Sequence, residues 1–373
     1  MQVSSVALKF GFLAVDIRHM QVDGLLRREW DELADLVAAP PFMRPGWFQA
    51  WCEAFGRRRI EVLTARRNGR LVGVLPMLRR NGALTAPTNY HSPGFEPLAA
   101  DEEGTHELAR NLVSAAGGRL SLGLLGEGDA LLRTCEADAT AAGWRVVSWV
   151  ERRTPYVPLE GGWQSHLERL PAKFRKELRR VRRRLEEQGV VSFDASNGDR
   201  GLTERLEEVL AVENSGWKRD RGTAIASSAD TRSFYVNLGR WAAGRGFLRL
   251  FVLRLDGAPI AVDYCLEDHG VRYMLKGGFD PRYASWSPGT LLLEDGLAHA
   301  AQMGIKEVDL GGGSDAYKLR WTSTVRTRVR LEAFAPSIPG LVGWSALQFG
   351  RPAAMRMRSA TRTLATQARL LSF

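Results

Sequence analysis

The chain has 373 residues, 45% hydrophobic and 25% charged, an ordinary globular composition with enough length for two cores. Cys52, Cys135 and Cys265 show neither pairing nor metal-ligand spacing, and the 6 histidines are as scattered, so a disulfide framework is excluded and no structural metal is read. A net charge of +10 admits nucleic acid, an anionic membrane face or a phosphorylated ligand as partner, beside the plainer reading of a solvated arginine-rich surface.

No apolar stretch is long enough to span a bilayer. Lys9 interrupts the apolar N-terminal run and no basic segment precedes it, so no signal peptide is expected and the expected location is cytoplasmic. The first 155 residues read as mixed α and β. "LLRREWDELADLVA" and "GWFQAWCEAFG" are helical patterns, and "RIEVLTARRNGRLVGVLPMLRR" is two strands around an Asn-Gly turn. "HELARNLVSAAGG" is helical, "RLSLGLLG" a strand, "DALLRTCEADATAAG" a helix ending at Gly143, and "WRVVSWV" a strand. "RRTPYVPLEGGW", with two prolines and two glycines, reads as a connector.

A long basic helix follows, "SHLERLPAKFRKELRRVRRRLEEQG", with Phe174, Leu178, Val181 and Leu185 as its packed face. Arg175, Lys176, Arg179, Arg180 and Arg183 crowd the remainder, able to follow a phosphate backbone or to stand as a solvated face. Two more helices lead into a three-stranded meander, "FLRLFVLRLDG", "APIAVDYCLEDHG" and "VRYMLKGGFD". "SPGTLLLEDGLAHAAQMG" is then a helix with Ser287 as N-cap, Pro288 at its first position and Gly304 beyond its end. Its small-residue start leaves room for an anion at the backbone amides. "KEVDLGGG" and "RVRLEAFAP" are strands, and the remainder is a basic helical stretch with a break at Pro352.

Several side chains in the second half could carry chemistry. Asp263 interrupts an apolar strand, so it either lines a cleft or sits in a satisfied network. Lys276 stands among apolar strand neighbours, as a snorkelling lysine or a site cation. Lys318 follows a glycine-rich turn that lacks Walker spacing. Asp280, before Pro281, reads as a turn cap. Tyr264, Tyr273, Tyr283 and Tyr317 are possible proton donors or packed tyrosines, and Trp217 with its neighbour Lys218 could shape an acceptor pocket or belong to the core.

The α-α-β-β-β-α-β-β order of this half resembles the GNAT acyltransferase superfamily. Within it, "LPAKFRKELRRVRRRLEEQG", "ENSGWKRDRG", "LDGAPIAVDYCLEDHGVRYMLKGGFDPRYASWSPGTLLL" and "MGIKEVDLGGGSDAYKLRW" resemble the CelD/BcsL group related to the FemABX aminoacyltransferases. "PGWFQAW" and "GRLVGVLPM" extend the likeness to the first half. The resemblance implies an α/β (α+β) fold of tandem GNAT-like domains, each a mixed, mostly antiparallel sheet flanked by helices. Residues 1–155 would be the N-terminal unit, 156–338 the unit with the active site, and 339–373 a basic helical tail. It implies that Ser287, Pro288, Gly289, Thr290 and Leu291 cradle a coenzyme A pyrophosphate, although "SWSPGTLL" departs from the usual arginine- or glutamine-led glycine loop. It puts Asp280 at the mouth of the site and Lys318 in the group's Tyr-Lys position.

The expected activity is N-acyl transfer from acyl-CoA to an amine by direct attack in a ternary complex, with no metal. The alternative is a FemABX-like aminoacyltransferase that takes aminoacyl-tRNA, with tRNA on the basic helix. The acceptor would be a small molecule or an envelope precursor. A third reading is a non-catalytic basic adaptor for RNA or for peripheral contact with an anionic membrane.

Overall fold

The computed structural model describes residues 8–10, 13–19, 24–55, 60–215 and 228–350. The N-terminal half starts with an antiparallel meander: β1 (Leu8–Phe10), β2 (Leu13–His19), β3 (Ile60–Arg67) and β4 (Arg70–Arg80). Asn68 and Gly69 close the β3–β4 hairpin with φ of 52° and 79°, the left-handed pair that an Asn-Gly turn favours. After β5 (Ala83–Thr85) and β6 (Leu98–Ala99), α3 (Glu102–Ala115) carries the chain to β7 (Arg119–Gly126), which lies parallel to β5. The C-terminal half repeats the device. β9 (Val191–Ser196), β10 (Leu248–Leu255), β11 (Ala258–Asp268) and β12 (Val271–Phe279) form a meander, and α9 (Pro288–Gln302) leads to β13 (Glu307–Asp309), parallel to β12.

Two strands weld the halves into one mixed, mostly antiparallel sheet. β14 (Val325–Phe334) inserts between β7 and β8 (Arg145–Pro158). β8 pairs with β14 along Arg145–Pro155 and then with β13 through Tyr156–Pro158. Residues 152–158 are therefore strand, not the connector that their prolines suggest. Pro155 faces Val325 and Pro158 faces Glu307, the first residues of β14 and β13, so each proline stands at a ladder end, where its missing N–H costs least.

Helices α1 (Gly24–Leu36) and α2 (Pro45–Phe55) pack on the first half with α3 and α4 (Ala130–Ala141). The second half carries α5 (Gly162–Arg169), α6 (Ala172–Glu186), α7 (Leu202–Ser215) and α8 (Ala229–Gly244). The expected single basic helix is thus two, interrupted at Leu170–Pro171, since the residue before proline is driven out of helical geometry; Leu170 has ψ 146°.

One core crosses the junction between the halves. Trp47 and Phe48 of α2 are buried with Phe234, Tyr235 and Leu238 of α8 and with Val262 and Tyr264 of β11. The helices approach so closely that a Cβ on Gly46 would fall 1.9 Å from the Trp241 indole nitrogen. Buried Arg44 adds a polar clasp, reaching Asp35 of its own half at 2.5 Å and Asp268 of the other at 3.0 Å. On the opposite face of the second half, α6 buries the expected Phe174, Leu178, Val181 and Leu185 against α9 and the sheet. Arg182 clamps the two helices, with hydrogen bonds to Glu294 at 2.9 Å and Asp295 at 2.6 Å.

Candidate active site

The parallel pair β12–β13 holds register at only three positions, Val271–Glu307, Arg272–Val308 and Tyr273–Asp309. β12 continues to Phe279, while the other chain turns off through Leu310 and a run of glycines. Gly311, at φ 63°, passes so near β12 that a Cβ would fall 2.3 Å from the Met274 carbonyl oxygen. Two side chains fix this turn. Buried Asp309 accepts from the Gly311 N–H at 2.8 Å, and the Lys318 ammonium donates to the Gly311 carbonyl at 2.7 Å. Burial pushes the Asp309 carboxyl upward, with Gly311 and Arg326 acting against that shift. The parted strands leave the last part of β12 beside this loop, leading directly to the start of α9.

Asp263 lies in the buried middle of β11, opposite Gly277; a Cβ on Gly277 would stand 2.1 Å from its Oδ1. Glycine at that rung makes room for the carboxylate. The next rung pairs Tyr264 with Lys276, so strand alternation puts Asp263 and Lys276 on opposite faces of the sheet. On the Lys276 side the ammonium lies 5.2 Å from the Tyr90 ring centroid and 6.0 Å from that of Tyr235, within cation–π range. Tyr235 shares a hydrogen bond with His91 Nδ1 at 3.2 Å. Burial first, and then the Lys276 charge, lower the His91 pKa to about 4, which keeps the imidazole neutral at physiological pH. Glu213 of α7 backs this wall; Gly278 lets its backbone approach, for a Cβ there would meet Glu213 Cα at 2.7 Å. Tyr317 comes to the cleft from the loop side, its ring centroid 5.6 Å from the Lys318 ammonium. Its phenol is held protonated by loss of water first and then by the carboxylates of Asp263 and Asp315.

The mouth of α9 differs from its sequence expectation. Ser287 sits in the left-handed region, φ 49°, and its side chain caps nothing. Its carbonyl instead accepts the amides of Thr290 at 2.9 Å and Leu291 at 3.3 Å. Pro288 has no N–H, so the first turn offers an anion fewer donors than the sequence suggests. Tyr283 and Trp286 flank this mouth, their rings 6.1 Å apart, and both pack on the core beneath.

The other anticipated side chains are distributed as follows. Asp280 caps the turn of residues 281–286 by accepting from the Arg282 N–H at 3.0 Å, and the forked pair with Arg282 holds its carboxyl below the usual range. Its oxygens are turned to that pair. Tyr273 points to the first half, edge-on to Phe42 at 5.2 Å. Trp217 and Lys218 lie outside the described residues. Lys176, Arg179, Arg180 and Arg183 are exposed on α6, and Arg175 is partly buried. Tyr90, His91, Tyr235 and Glu213 were missed by sequence reasoning. "PTNYHSPG" carries a signal for the first two, an aromatic–histidine pair in a proline- and glycine-rich loop, and Glu213 opens the "ENSGWKRDRG" segment.

Residues 172–319 match the Acetyltransferase (GNAT) domain family. The chain carries a GNAT domain. That domain spans α6 to the Tyr317–Lys318 loop, so it contains β11, β12, the α9 mouth and the parted parallel pair. Among solved structures, FemX is similar at 12% identity and a TM-score of 0.60, over 86% of this chain and 98% of that one. A C-terminal domain assigned to a lysylphosphatidylglycerol synthetase of Agrobacterium fabrum is similar at 14% identity and a TM-score of 0.57, over 86% and 96%. L-PGS from Bacillus licheniformis follows at 14% and 0.50, over 80% and 95%. At these identities the likeness is one of fold. No curated protein sequence matches the chain.

Proposed function

We propose that the chain moves an acyl group from a thioester donor to an amine. The observation that carries this reading is the parting of β12 from β13 immediately before the α9 mouth, inside the segment matched to GNAT acetyltransferases. An extended donor arm laid against the last part of β12 would find backbone partners, with its phosphates near Gly289 and Thr290. The acceptor amine attacks the thioester carbonyl; the carbonyl oxygen becomes an oxyanion, and collapse expels the thiolate. In this reading the Asp263 carboxylate takes the proton that the amine loses, and the protonated Tyr317 phenol supplies one to the departing sulfur. Neutral His91 and the aromatic-boxed Lys276 line the acceptor's approach on the other face, and in this reading its amine reaches Asp263 through the gap where β12 and β13 part. Lys318 acts as a positioning residue that fixes the loop. The first half therefore contributes two side chains, Tyr90 and His91, to the acceptor end.

The test is a thermal-shift titration with coenzyme A and acetyl-CoA, with Gly289→Glu as control. Saturable stabilisation that is lost in the variant supports the reading. No stabilisation at millimolar ligand sinks the thioester donor.

A second reading, aminoacyl-tRNA as donor, has one specific observation behind it. Among the described residues, Lys176, Arg179, Arg180 and Arg184 on the outer face of α6 have no carboxylate within 4.0 Å. Such a stripe suits a phosphate backbone, and the sequence resemblance to FemABX enzymes implies that donor. Binding of tRNA that falls steeply with salt and weakens in Arg179→Glu and Arg180→Glu would favour it; weak, salt-insensitive binding would remove it. An acceptor from envelope metabolism, a lipid or a precursor, is a proposal at the same level.

A further inference from the structure

A groove of about 820 Å³ lies away from the cluster just described. Its walls are the end of α5, the first turn of α6 and the segment 319–324, and none of the α9 mouth residues lines it. Its volume is within the range of small-molecule sites, about 300–1,000 Å³. Three independent features converge there. His166 is 4% exposed, lines the groove, and its Nε2 has no hydrogen-bond partner among the described residues. Trp163 packs on its ring at 5.9 Å, which fixes the imidazole plane. The N-terminus of α6 opens into the groove without a side-chain cap. The Pro171 carbonyl takes the amides of Phe174 and Arg175, and Pro171 has no side-chain acceptor for those of Ala172 and Lys173. Finally, Arg169 and Lys173 line the groove, and among the described residues neither has a carboxylate within 4.0 Å. The third cation, Arg320, is already held by Glu177 at 2.5 Å and lies over the Phe174 ring.

We infer that this groove is a binding site for a phosphate group of a small molecule. Helix-end amides and two unpaired cations suit a compact, multiply charged oxyanion, and a buried imidazole nitrogen supplies one more donor at its side. Glu160 and Glu177 stand in the lining, and an extended polyanion would have to pass both. That arrangement favours a single phosphate or pyrophosphate over a nucleic-acid strand. The site is separate from the proposed donor cradle, and its test is built so that the two can fail independently.

The experiment is calorimetric titration of the full chain with inorganic phosphate and pyrophosphate, performed in the Gly289→Glu background so that the α9 mouth does not contribute. Arg169→Glu and Lys173→Glu each change an exposed side chain, so the fold is retained. Arg180→Glu makes the same charge change on α6 outside the groove. Saturable binding is expected, weakened about tenfold or more by Arg169→Glu and by Lys173→Glu and unchanged by Arg180→Glu. Equal weakening by all three would mean a diffuse field and overturn the site. So would no saturation at millimolar pyrophosphate, or binding confined to tRNA or to vesicles containing phosphatidylglycerol.

Discussion

His91, from a loop of the first half, and Tyr235, from α8 of the second, share a hydrogen bond of 3.2 Å beside the Lys276 ammonium. Each half thus supplies one partner, and the halves must be packed for either to be placed. The His91 pKa falls from an ordinary 6.5 to about 4 in the folded chain, by burial first and then by Lys276. An imidazole whose folded value is depressed favours the folded state above its unfolded pKa, and that contribution is lost as pH falls through 6.5 towards about 4. Its size is on the order of 3 kcal/mol. Denaturant titrations across this window should show the wild type losing stability faster than His91→Phe, which cannot take up the proton. Parallel pH profiles for the two proteins would mean that His91 is not the titrating group.

The sequence makes Lys318 a candidate catalytic cation. In the structure its ammonium holds the Gly311 carbonyl at 2.7 Å and that of Gly313 at 3.4 Å. Lys318→Met leaves these carbonyls without that donor in a buried setting, at a cost of about 1–3 kcal/mol. Loss of activity should therefore come with a lower Tm. An inactive variant with unchanged Tm would instead place the ammonium on the reacting atoms.

How far sequence reached depended on how local each determinant was. The α6 face of Phe174, Leu178, Val181 and Leu185 was visible because helical periodicity is set by the segment itself. Gly304, at φ 73°, ends α9 as expected for the same reason. The first part of β8 was legible as "WRVVSWV", but its continuation through residues 152–158 was hidden because Pro155 and Pro158 look like a connector. Only pairing with the distant β13 and β14 makes that segment a strand. Asp263 and Lys276 were legible as charges in apolar strands. That they lie on opposite faces required the register, and the company of His91, Tyr90 and Tyr235 required the packing of two halves.

Asp263→Asn tests the proposed chemistry. The amide retains the shape beside Gly277 but cannot accept the amine proton, so kcat should fall by about 10²–10⁴-fold. The acidic limb of the kcat/KM profile should disappear with the carboxylate. If Asp263→Asn keeps that limb, another base carries the reaction, and His91→Ala becomes the next variant to assay.

Gly46→Ala tests whether the site depends on the junction between halves. A methyl group at this position would lie 1.9 Å from the Trp241 indole nitrogen, with aromatic atoms rather than a flexible chain end in its path. α2 and α8 must then separate, and the edge-to-face pair Trp47 and Phe234, with ring centroids 5.2 Å apart, separates with them. Overpacking of this kind costs about 1–3 kcal/mol. Shortening the obstacle should return part of that loss, so Gly46→Ala combined with Trp241→Ala should be more stable than the two single losses add up to. The cycle also carries a readout at the site, because displacement of α8 moves Tyr235 from His91 and should raise the His91 pKa towards 6.5, measurable by imidazole proton NMR. Additive losses with an unmoved His91 titration would show that the junction can yield without disturbing the acceptor wall.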